Sequence, residues 1–400
     1  MQQVVQAWAG IDAGKEHHYV VVIDSEGRRL LSRRVLNGES ELSEVIDAAL
    51  ERAGALVWAI DLADGPAALM ITLLLGRGQR LVFLPGVAVN RASGAYRGEG
   101  KTDAKDAAVI ADQARMRRDL RELHLEEETI AELRMLTAQR ADLAADRTRS
   151  INRLRQRLLS VFPALERALD FTNKGPLVLI SGFQTPRAIH AVGVDGLESW
   201  LRSRKVRAAG KLAAAAVAAA DAQRTCVRGE SMAAALVSDL ASNVLDLDRR
   251  IAALDKLIAT RFRAHRHATI IASMIGIGDL LGAEFLAATG GDMTVFASAN
   301  HLASYAGLAP TPRDSGRRTG NLHRPRRYNR QLQRVFYTSA MISIQHSPAS
   351  KIFYDRKRAE RKRHGQAVLA LARRRVDVLW AMLRDQRTYQ ERLPTLAAAA

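Results

Sequence analysis

The chain has 400 residues, 48% hydrophobic and 26% charged, which is the balance of a globular protein with sizeable cores. This composition excludes collagen and a disordered chain. The single cysteine, Cys226, excludes an internal disulfide framework and a cysteine-rich zinc site. The longest apolar stretch of the alanine-rich centre covers only residues 212–220. We therefore expect no membrane span, no signal peptide and a cytoplasmic location.

The charge indicates a polyanionic partner. The formal net charge is +18, and residues 301–400 hold 21 Lys and Arg against 6 Asp and Glu. A positive field of this kind binds nucleic-acid phosphates by displacing their counterions, and arginine suits two-pronged phosphate contacts. The alternative is a set of ordinary solvated surface charges.

The first hundred residues alternate between strand and helix patterns. Three successive strands joined by short turns indicate an antiparallel meander, and the later alternation of helix and strand completes an α/β layer sandwich. The predicted strands cover 8–13, 17–24, 29–36, 56–61 and 80–84, and the predicted helices 41–53 and 66–75. Residues 86–100 are predicted to be a polar link.

Two long helices are expected further along the chain. One is predicted from residue 103 to about 159, capped by Thr102 and free of proline. The other carries a heptad seam from Leu240 to Ile258, so the two helices are predicted to pair as an antiparallel hairpin or between subunits. The intervening residues 173–228 are rich in helix formers.

A glycine-containing turn follows near residue 276. Gly276 and Gly278 lie in an Ile-Gly-Ile-Gly run that follows a helix rather than a strand, which argues against a dinucleotide fingerprint. Such a turn between helices can present backbone N–H groups to a phosphate, as in a helix-hairpin-helix. A purely structural turn is an equal alternative.

Four aspartates form the main candidate metal site. Asp12 lies inside an apolar strand, Asp61 ends another, and Asp103 and Asp106 share one face at a helix start. If that helix packs near the two strand ends, the carboxylates converge and need a hard cation such as Mg²⁺ or Mn²⁺. The alternative is two helix-start acids favoured by the dipole and two turn-forming acids at strand ends.

A candidate nucleophile lies in the cationic part. Ser315 precedes a glycine and has Arg313, Arg317 and Arg318 around it, so a bound phosphate could be attacked and its charge neutralised. No histidine or lysine neighbour for the serine is evident, and a solvated arginine-rich loop is the alternative. Residues 356–363 and 373–375 further indicate an amphipathic helical region with a phosphate-facing side.

Several segments together resemble a known family. The segments are GIDAGKEHHYVVVID at 10–24, KTDAKDA at 101–107, IGIGDLLGAEFLAATG at 275–290 and ASYAGLAPTPRDSGRRTGNLHRPRRYNRQL at 303–332. In this order they resemble the DEDD transposases of the "one-ten" insertion-sequence family over nearly the whole chain.

The resemblance implies an architecture and a set of site residues. It implies a RuvC-like, RNase H-type α/β domain at 1–118, a helical coiled-coil connection at 119–265 and a basic, mostly α C-terminal domain at 266–400. The metal-binding set falls on Asp12, Asp61, Asp103 and Asp106, and the attacking serine on Ser315. The second acidic position is usually glutamate in this family; here it is Asp61, with Asp64 as the nearby alternative.

The resemblance also implies an activity and partners. Members are recombinases that excise and insert their own element, guided by a bridge RNA. We therefore expect element and target DNA, a guide RNA and further copies of this chain as partners, and a location at the bacterial nucleoid. The alternatives are a RuvC-like metal-dependent endonuclease or junction resolvase, and an inactive DNA-binding remnant. Nucleic-acid contacts are expected at Arg313, Arg317, Arg318, Arg324, Arg326, Arg327, Gly276 and Gly278.

Overall fold

The computed structural model describes residues 7–53, 55–96, 100, 102–124, 127–316 and 319–391. The chain forms two compact units, residues 1–126 and residues 127–400.

The first unit is built on a six-stranded sheet in the order β3-β2-β1-β4-β5-β6. Strands β1 to β3 form the predicted antiparallel meander, β4 pairs parallel to β1, and β5 pairs parallel to β4. The α/β class predicted from the sequence is confirmed. The strands are β1 (Ala7–Ala13), β2 (His17–Asp24), β3 (Arg29–Leu36), β4 (Leu56–Ile60), β5 (Arg80–Phe83) and β6 (Arg121–Leu123).

Helices cover both faces of this sheet. Because side chains alternate along a strand, Ala9 and Ile11 of β1 join the core on one face, while Gly10 and Asp12 point to the other. The first face is packed by α1 (Glu39–Leu50) and α2 (Ala68–Gly76), and the second by α3 (Gly86–Ser93) and α4 (Asp103–Met116).

Gly10 allows α4 to lie directly on β1. A Cβ atom placed on Gly10 would come within 2.1 Å of the Ala107 carbonyl oxygen and 2.4 Å of the Ala111 nitrogen, both backbone atoms of α4. Backbone atoms in a packed helix cannot turn away as a flexible side chain can. Glycine at this position therefore fixes the distance between the strand and the helix.

Replacing this glycine is expected to loosen the packing of α4. In Gly10→Ala, the added methyl group must displace α4 from β1, at a cost of about 2 kcal/mol. Hydrogen exchange of the α4 and β1 amides should show roughly a thirtyfold loss of protection. Gly76→Ala is the matched control, because a Cβ there meets no atom within 4 Å. Equal protection in the two variants would contradict this account of Gly10.

The prediction of one continuous helix from residue 103 to 159 is wrong, because the segment forms two helices with a strand between them. Helix α4 ends at Met116, Arg117 adopts an extended backbone, and β6 adds an antiparallel edge to the sheet with Leu123 opposite Leu81. A three-residue strand shows too little periodicity to be recognised beside two strong helical patterns. The predicted link at 86–100 contains α3, whose eight residues bury only Val89.

The second unit is almost entirely helical, as predicted for the C-terminal part of the chain. Among the described residues, no helix is both long and apolar enough to cross a bilayer. A short hairpin, β7 (Thr311–Pro312) with β8 (Leu322–His323), accompanies the helices. The helices are α5 (Glu128–Val161), α6 (Pro163–Ala168), α7 (Lys174–Gly182), α8 (Pro186–Ser203), α9 (Ala209–Asp221), α10 (Glu230–Ala264), α11 (Ala268–Ser273), α12 (Asp279–Thr289), α13 (Ala299–Tyr305), α14 (Arg330–His346), α15 (Pro348–Ala359) and α16 (His364–Arg384).

Helices α5 and α10 pair antiparallel within one chain. The pairing runs from Arg261–Glu132 at 3.1 Å, through Arg140–Asp255 and Arg147–Asp248 at 2.5 Å each, to Asn243 Nδ2 and Ser150 Oγ at 3.3 Å. The residue number rises on α5 as it falls on α10, which defines the antiparallel direction. Of the two predicted arrangements, the structure has the intrachain hairpin.

The predicted seam on α10 is buried in part. Val244, Leu247 and Ile258 are buried, whereas Leu240, Ile251 and Leu254 are only half-buried. The two ends of the helix pair belong to different hydrophobic cores. Ile130 and Phe262 lie in the C-terminal core, and the opposite end of the pair contributes to the core around α6 to α9.

A thiol crosslink can test the pairing in solution. In a Cys226→Ser background, Ser150→Cys with Asn243→Cys places two thiols where the native side chains are hydrogen-bonded. A short bifunctional thiol reagent should then link α5 to α10 within one chain, giving a monomer with altered mobility on a denaturing gel. The single variants serve as controls, and a covalent dimer as the main product would overturn the intrachain pairing.

Candidate active site

Two aspartates lie side by side at the ends of two parallel strands. β1 and β4 pair with Ile11 opposite Ile60, so the next residues, Asp12 and Asp61, leave the same edge of the sheet. The backbone N–H of Ala13 donates to Asp61 Oδ1 at 3.2 Å, which ties the second carboxylate to the end of β1. Both side chains are half-buried.

Helix α4 contributes a third carboxylate. Its start is fixed by Thr102, whose side chain accepts from the Lys105 N–H at 3.2 Å. With α4 held on Gly10, the half-buried Asp106 reaches the same cavity as Asp12 and Asp61. Asp103 is exposed at the first position of the helix and does not line this cavity. The structure thus brings together three of the four predicted acids.

The three carboxylates line a cavity of about 650 Å³, called here the acidic cavity. Helix α3 supplies a further wall with Gly86, Asn90 and Ser93, and Lys105 of α4 also lines the cavity. The described lining of the cavity therefore combines negative charge with polar groups and the ammonium group of Lys105. Sequence reasoning missed both the α3 wall and Lys105, although Lys105 lies between the two acids of the KTDAKDA segment.

The acidic cavity perturbs Asp61. Burial raises the pKa of the Asp61 carboxyl above its ordinary value, and the negative charge of Asp106 raises it further. The N–H groups of Ala13 and of Asp61 itself lower that pKa in part. Two carboxylates that repel each other in a half-buried setting are stabilised when a cation binds between them.

The donor chemistry fits a hard divalent cation. Within the described ranges, no three His, Cys, Asp or Glu side chains come close enough to enclose a metal ion. Mg²⁺ commonly keeps several waters and binds through only one or two carboxylates, so Asp61 and Asp106 with Asp12 beside them suit it. Asp64 caps the short 3₁₀ turn Gly65–Ala67, is exposed and lies outside the cavity, which favours Asp61 as the second acid.

Neutralising Asp61 is expected to stabilise the metal-free protein. Its raised pKa means that ionisation costs folding free energy, fully so above the raised pKa and not at all below the ordinary value of 3.8. In EDTA at pH 7, Asp61→Asn should therefore have a higher melting temperature than the wild type. This gain should shrink as the pH falls towards 4.

The response to metal provides the control for this prediction. Mg²⁺ should raise the melting temperature of the wild type and of Asp64→Asn, whose carboxylate lies outside the cavity, but not that of Asp61→Asn. The wild type and Asp61→Asn are compared in EDTA and with Mg²⁺. Equal melting temperatures in EDTA and equal responses to Mg²⁺ would contradict this account.

Ser315 lies at the tip of the β7–β8 hairpin. The Arg313 N–H donates to the Asn321 carbonyl at 2.8 Å, and the Asn321 N–H donates to Asp314 Oδ1 at 2.9 Å. The Asp314 side chain therefore connects the two arms of the hairpin by a hydrogen bond. Ser315 is the next residue, and its side chain is exposed. In the part of the chain that the structure describes, no histidine, lysine or carboxylate is hydrogen-bonded to Ser315.

The base of this hairpin is held rigidly. Gly307 has φ +67°, and a Cβ on it would come within 2.3 Å of the Tyr328 ring. The Asn329 N–H donates to the Tyr305 carbonyl at 2.8 Å. The hairpin that carries Ser315 is therefore anchored at its base. The predicted arginines Arg313, Arg324, Arg326 and Arg327 are exposed, and Arg317 and Arg318 lie outside the described residues.

The glycine turn lies between α11 and α12, as predicted. Gly276 has φ +86° and packs against α14, where a Cβ would approach the Ser339 carbonyl to 2.6 Å. Gly278 is exposed ahead of α12. Asp279 opens α12 and pairs with Arg263 at 2.6 Å. Gly276 thus has a packing role, and phosphate contact at Gly278 stays a prediction.

Comparison with known families gives two matches. A family model described as "Transposase" matches residues 9–163, and one described as "Transposase IS116/IS110/IS902 family" matches residues 268–355. The first match contains the three carboxylates of the acidic cavity, and the second contains the serine hairpin.

Whole-length relatives come from insertion elements. A 42 kDa protein of insertion element IS900 from Mycobacterium paratuberculosis is 55% identical over 98% of this chain and 99% of the relative. A 44.8 kDa protein of IS116 from Streptomyces clavuligerus is 51% identical over 98% of both chains. A mini-circle putative transposase for IS117 from Streptomyces coelicolor is 27% identical, again over 98% of both.

Among solved structures, the chain is similar to T. thermophilus RuvC in complex with a Holliday junction substrate. The identity is 16%, the TM-score is 0.23, and the match covers 30% of this chain and 99% of RuvC.

Proposed function

Because this chain belongs to the IS116/IS110/IS902 family of transposases, we propose that it moves its insertion element by metal-assisted DNA cleavage and strand exchange with a serine nucleophile. The observation that carries the metal-assisted part is the meeting of Asp12, Asp61 and Asp106 in one polar cavity. The exposed serine on an anchored, arginine-rich hairpin supports the nucleophile.

In this proposal, Asp61 and Asp106 would bind the cation directly, with Asp12 beside them and water completing its coordination. Asp103 lies at the first position of the helix that carries Asp106. A bound Mg²⁺ or Mn²⁺ ion supplies Lewis-acid stabilisation of the charge on the phosphate oxygens. The Ala13 N–H keeps the Asp61 carboxylate oriented, and the position of α4 on Gly10 keeps Asp106 at the cavity.

Ser315 forms the covalent bond. Its Oγ attacks the scissile phosphorus, the bond from phosphorus to a deoxyribose oxygen breaks, the hydroxyl proton leaves to solvent and the departing oxygen takes one up. The hydroxyl of a second strand then attacks the phosphoserine, which restores the serine and joins the new strands. Arg313, with Arg317 and Arg318, neutralises the developing negative charge.

The proposal includes RNA guidance and self-association. The positive charge of residues 301–400 supports binding of a second polyanion besides DNA. Guidance by a bridge RNA and assembly of several copies follow the resemblance to the family rather than a contact in this chain.

The test is cleavage and strand exchange on element-end DNA with Mg²⁺ and RNA transcribed from the flank of the element. We expect Ser315→Ala and Asp106→Asn each to lower the rate by at least about a thousandfold, because each removes a group on which the reaction depends. Only the wild type should give a protease-sensitive protein–DNA adduct.

Two control variants accompany the assay. Ser304→Ala removes an exposed hydroxyl from α13, and Asp64→Asn removes an exposed carboxylate outside the acidic cavity; both should retain full activity. If Ser315→Ala cuts normally while Asp106→Asn does not, the chain is a metal nuclease or resolvase. If no protein cuts and salt-sensitive DNA binding persists, it is an inactive remnant. Activity without RNA would refute the guidance.

A further inference from the structure

Arg375 of α16 is a buried cation without an anionic partner. Arg375 is only 3% exposed. Its Nε donates to Ser339 Oγ at 2.9 Å. Its Nη2 donates to the Ile275 carbonyl in the glycine turn. Both acceptors are neutral. Across the described residues, no carboxylate lies within salt-bridge distance of this guanidinium.

This arrangement leaves a positive charge uncompensated. Burial lowers the pKa of Arg375 to about 10, so the group is still charged at neutral pH. A buried charge is costly unless an opposite charge or several hydrogen bonds compensate it. Two neutral acceptors use only part of the five N–H donors of a guanidinium. The remaining capacity suits an anion.

A second cavity lies against Arg375. It has a volume of about 210 Å³ and is called here the Arg375 cavity. Ser350 and Tyr389 supply polar groups, Arg374 and Gln390 border it from exposed positions, and Phe353 and Val378 supply apolar contact. A small, partly polar cavity with two arginines matches the chemistry of a single phosphate group.

More cations surround this cavity. The guanidinium carbons of Arg356 and Arg374 each lie 5.1 Å from the centre of the Phe353 ring, and Lys357 Nζ lies 5.7 Å from it. Asp355 of α15 pairs with Lys351, and Glu360, which follows α15, lies within ion-pair distance of both Lys357 and Arg356. Among these residues, Arg374 and one of the two cations at Glu360 remain in excess. The local field is therefore positive, which favours an anionic ligand.

The C-terminal segment forms a fixed wall of the cavity. The Tyr389 N–H donates to Ser273 Oγ at 2.8 Å, and Glu391 accepts from Ser347 Oγ and from the Ala349 N–H at 3.2 Å. The Glu391 carboxylate thus accepts hydrogen bonds at the N-terminus of α15 and is not paired with Arg375. The binding capacity of the cavity belongs to the buried guanidinium and not to the helix terminus.

We propose that the Arg375 cavity binds one backbone phosphate of a nucleic acid, with Arg375 and Arg374 as its ligands. No residue of this site belongs to the acidic cavity or to the serine hairpin, so the site anchors the strand rather than cleaving it. The identification of nucleic acid as the source of the phosphate rests on the proposed function.

The test places a carboxylate at the mouth of the cavity. Gln390→Glu keeps the shape of an exposed side chain and adds a charge that competes with phosphate for the two arginines. Gln345→Glu is the matched control, because it makes the same change at an exposed position of α14 outside the cavity. Neither change touches a buried group, so both variants should fold.

Binding is measured by fluorescence anisotropy at several salt concentrations in EDTA, with duplex DNA and with RNA of equal length. On one or both probes, Gln390→Glu should weaken binding about tenfold. The loss of one phosphate contact should reduce the salt slope by about 0.9 on duplex DNA and by about 0.7 on single-stranded RNA. Gln345→Glu should change the slope little. The probe that shows the loss identifies which nucleic acid supplies the phosphate.

Inorganic sulfate gives a second readout that is independent of nucleic acid. At fixed ionic strength, sulfate should raise the melting temperature of the wild type and of Gln345→Glu more than that of Gln390→Glu. Equal behaviour of the two variants in both measurements would overturn the site and leave Arg375 as a structural tie to the glycine turn. Because EDTA prevents cleavage, this result is separate from the outcome of the catalytic assay.

Discussion

The close packing of α4 against β1 at Gly10 is the constraint on which the geometry of the acidic cavity depends. Asp12 and Asp61 are placed by the pairing of two parallel strands, but Asp106 belongs to a helix that could lie anywhere over the sheet. Backbone contact at Gly10 removes that freedom, and the cap at Thr102 sets where the helix begins. Three carboxylates from separate elements therefore share one cavity.

Each of the two units holds charge in a partly or fully buried setting, and the charges have opposite signs. The first unit places carboxylates beside one another, and the second holds a guanidinium in its interior without an acid. Either feature alone lowers stability, since packed apolar residues would serve the fold better. In the proposed function a cation would remove the first cost, and in the proposed phosphate site an anion would remove the second.

Much of the first unit could be predicted because its signals are local. Alternating apolar residues and short turns defined strands β1 to β5, and the strand ends located Asp12 and Asp61. The exposure of Asp103, the wall formed by α3 and the edge strand β6 could not be predicted, because tertiary packing decides them. Residues 373–375 were predicted to lie on the phosphate-facing side of an amphipathic helix, and the burial of Arg375 was not predicted. Its spacing from Val368, Ala372 and Leu379 follows the buried face of α16, and that period was the available signal.

The α5–α10 hairpin restricts where residues can be inserted or deleted in chains of this kind. Each end of the hairpin is built into its own hydrophobic core, and between them the two helices contact mainly each other through Arg140–Asp255 and Arg147–Asp248. One residue inserted into α5 alone rotates everything beyond it by about 100° and advances it by about 1.5 Å, so both cores would lose register. Tolerated insertions must come as matched additions to both helices in whole heptads, about 10 Å at a time. The span between the two cores can therefore evolve only in steps, whereas the loops around it are free to vary by single residues.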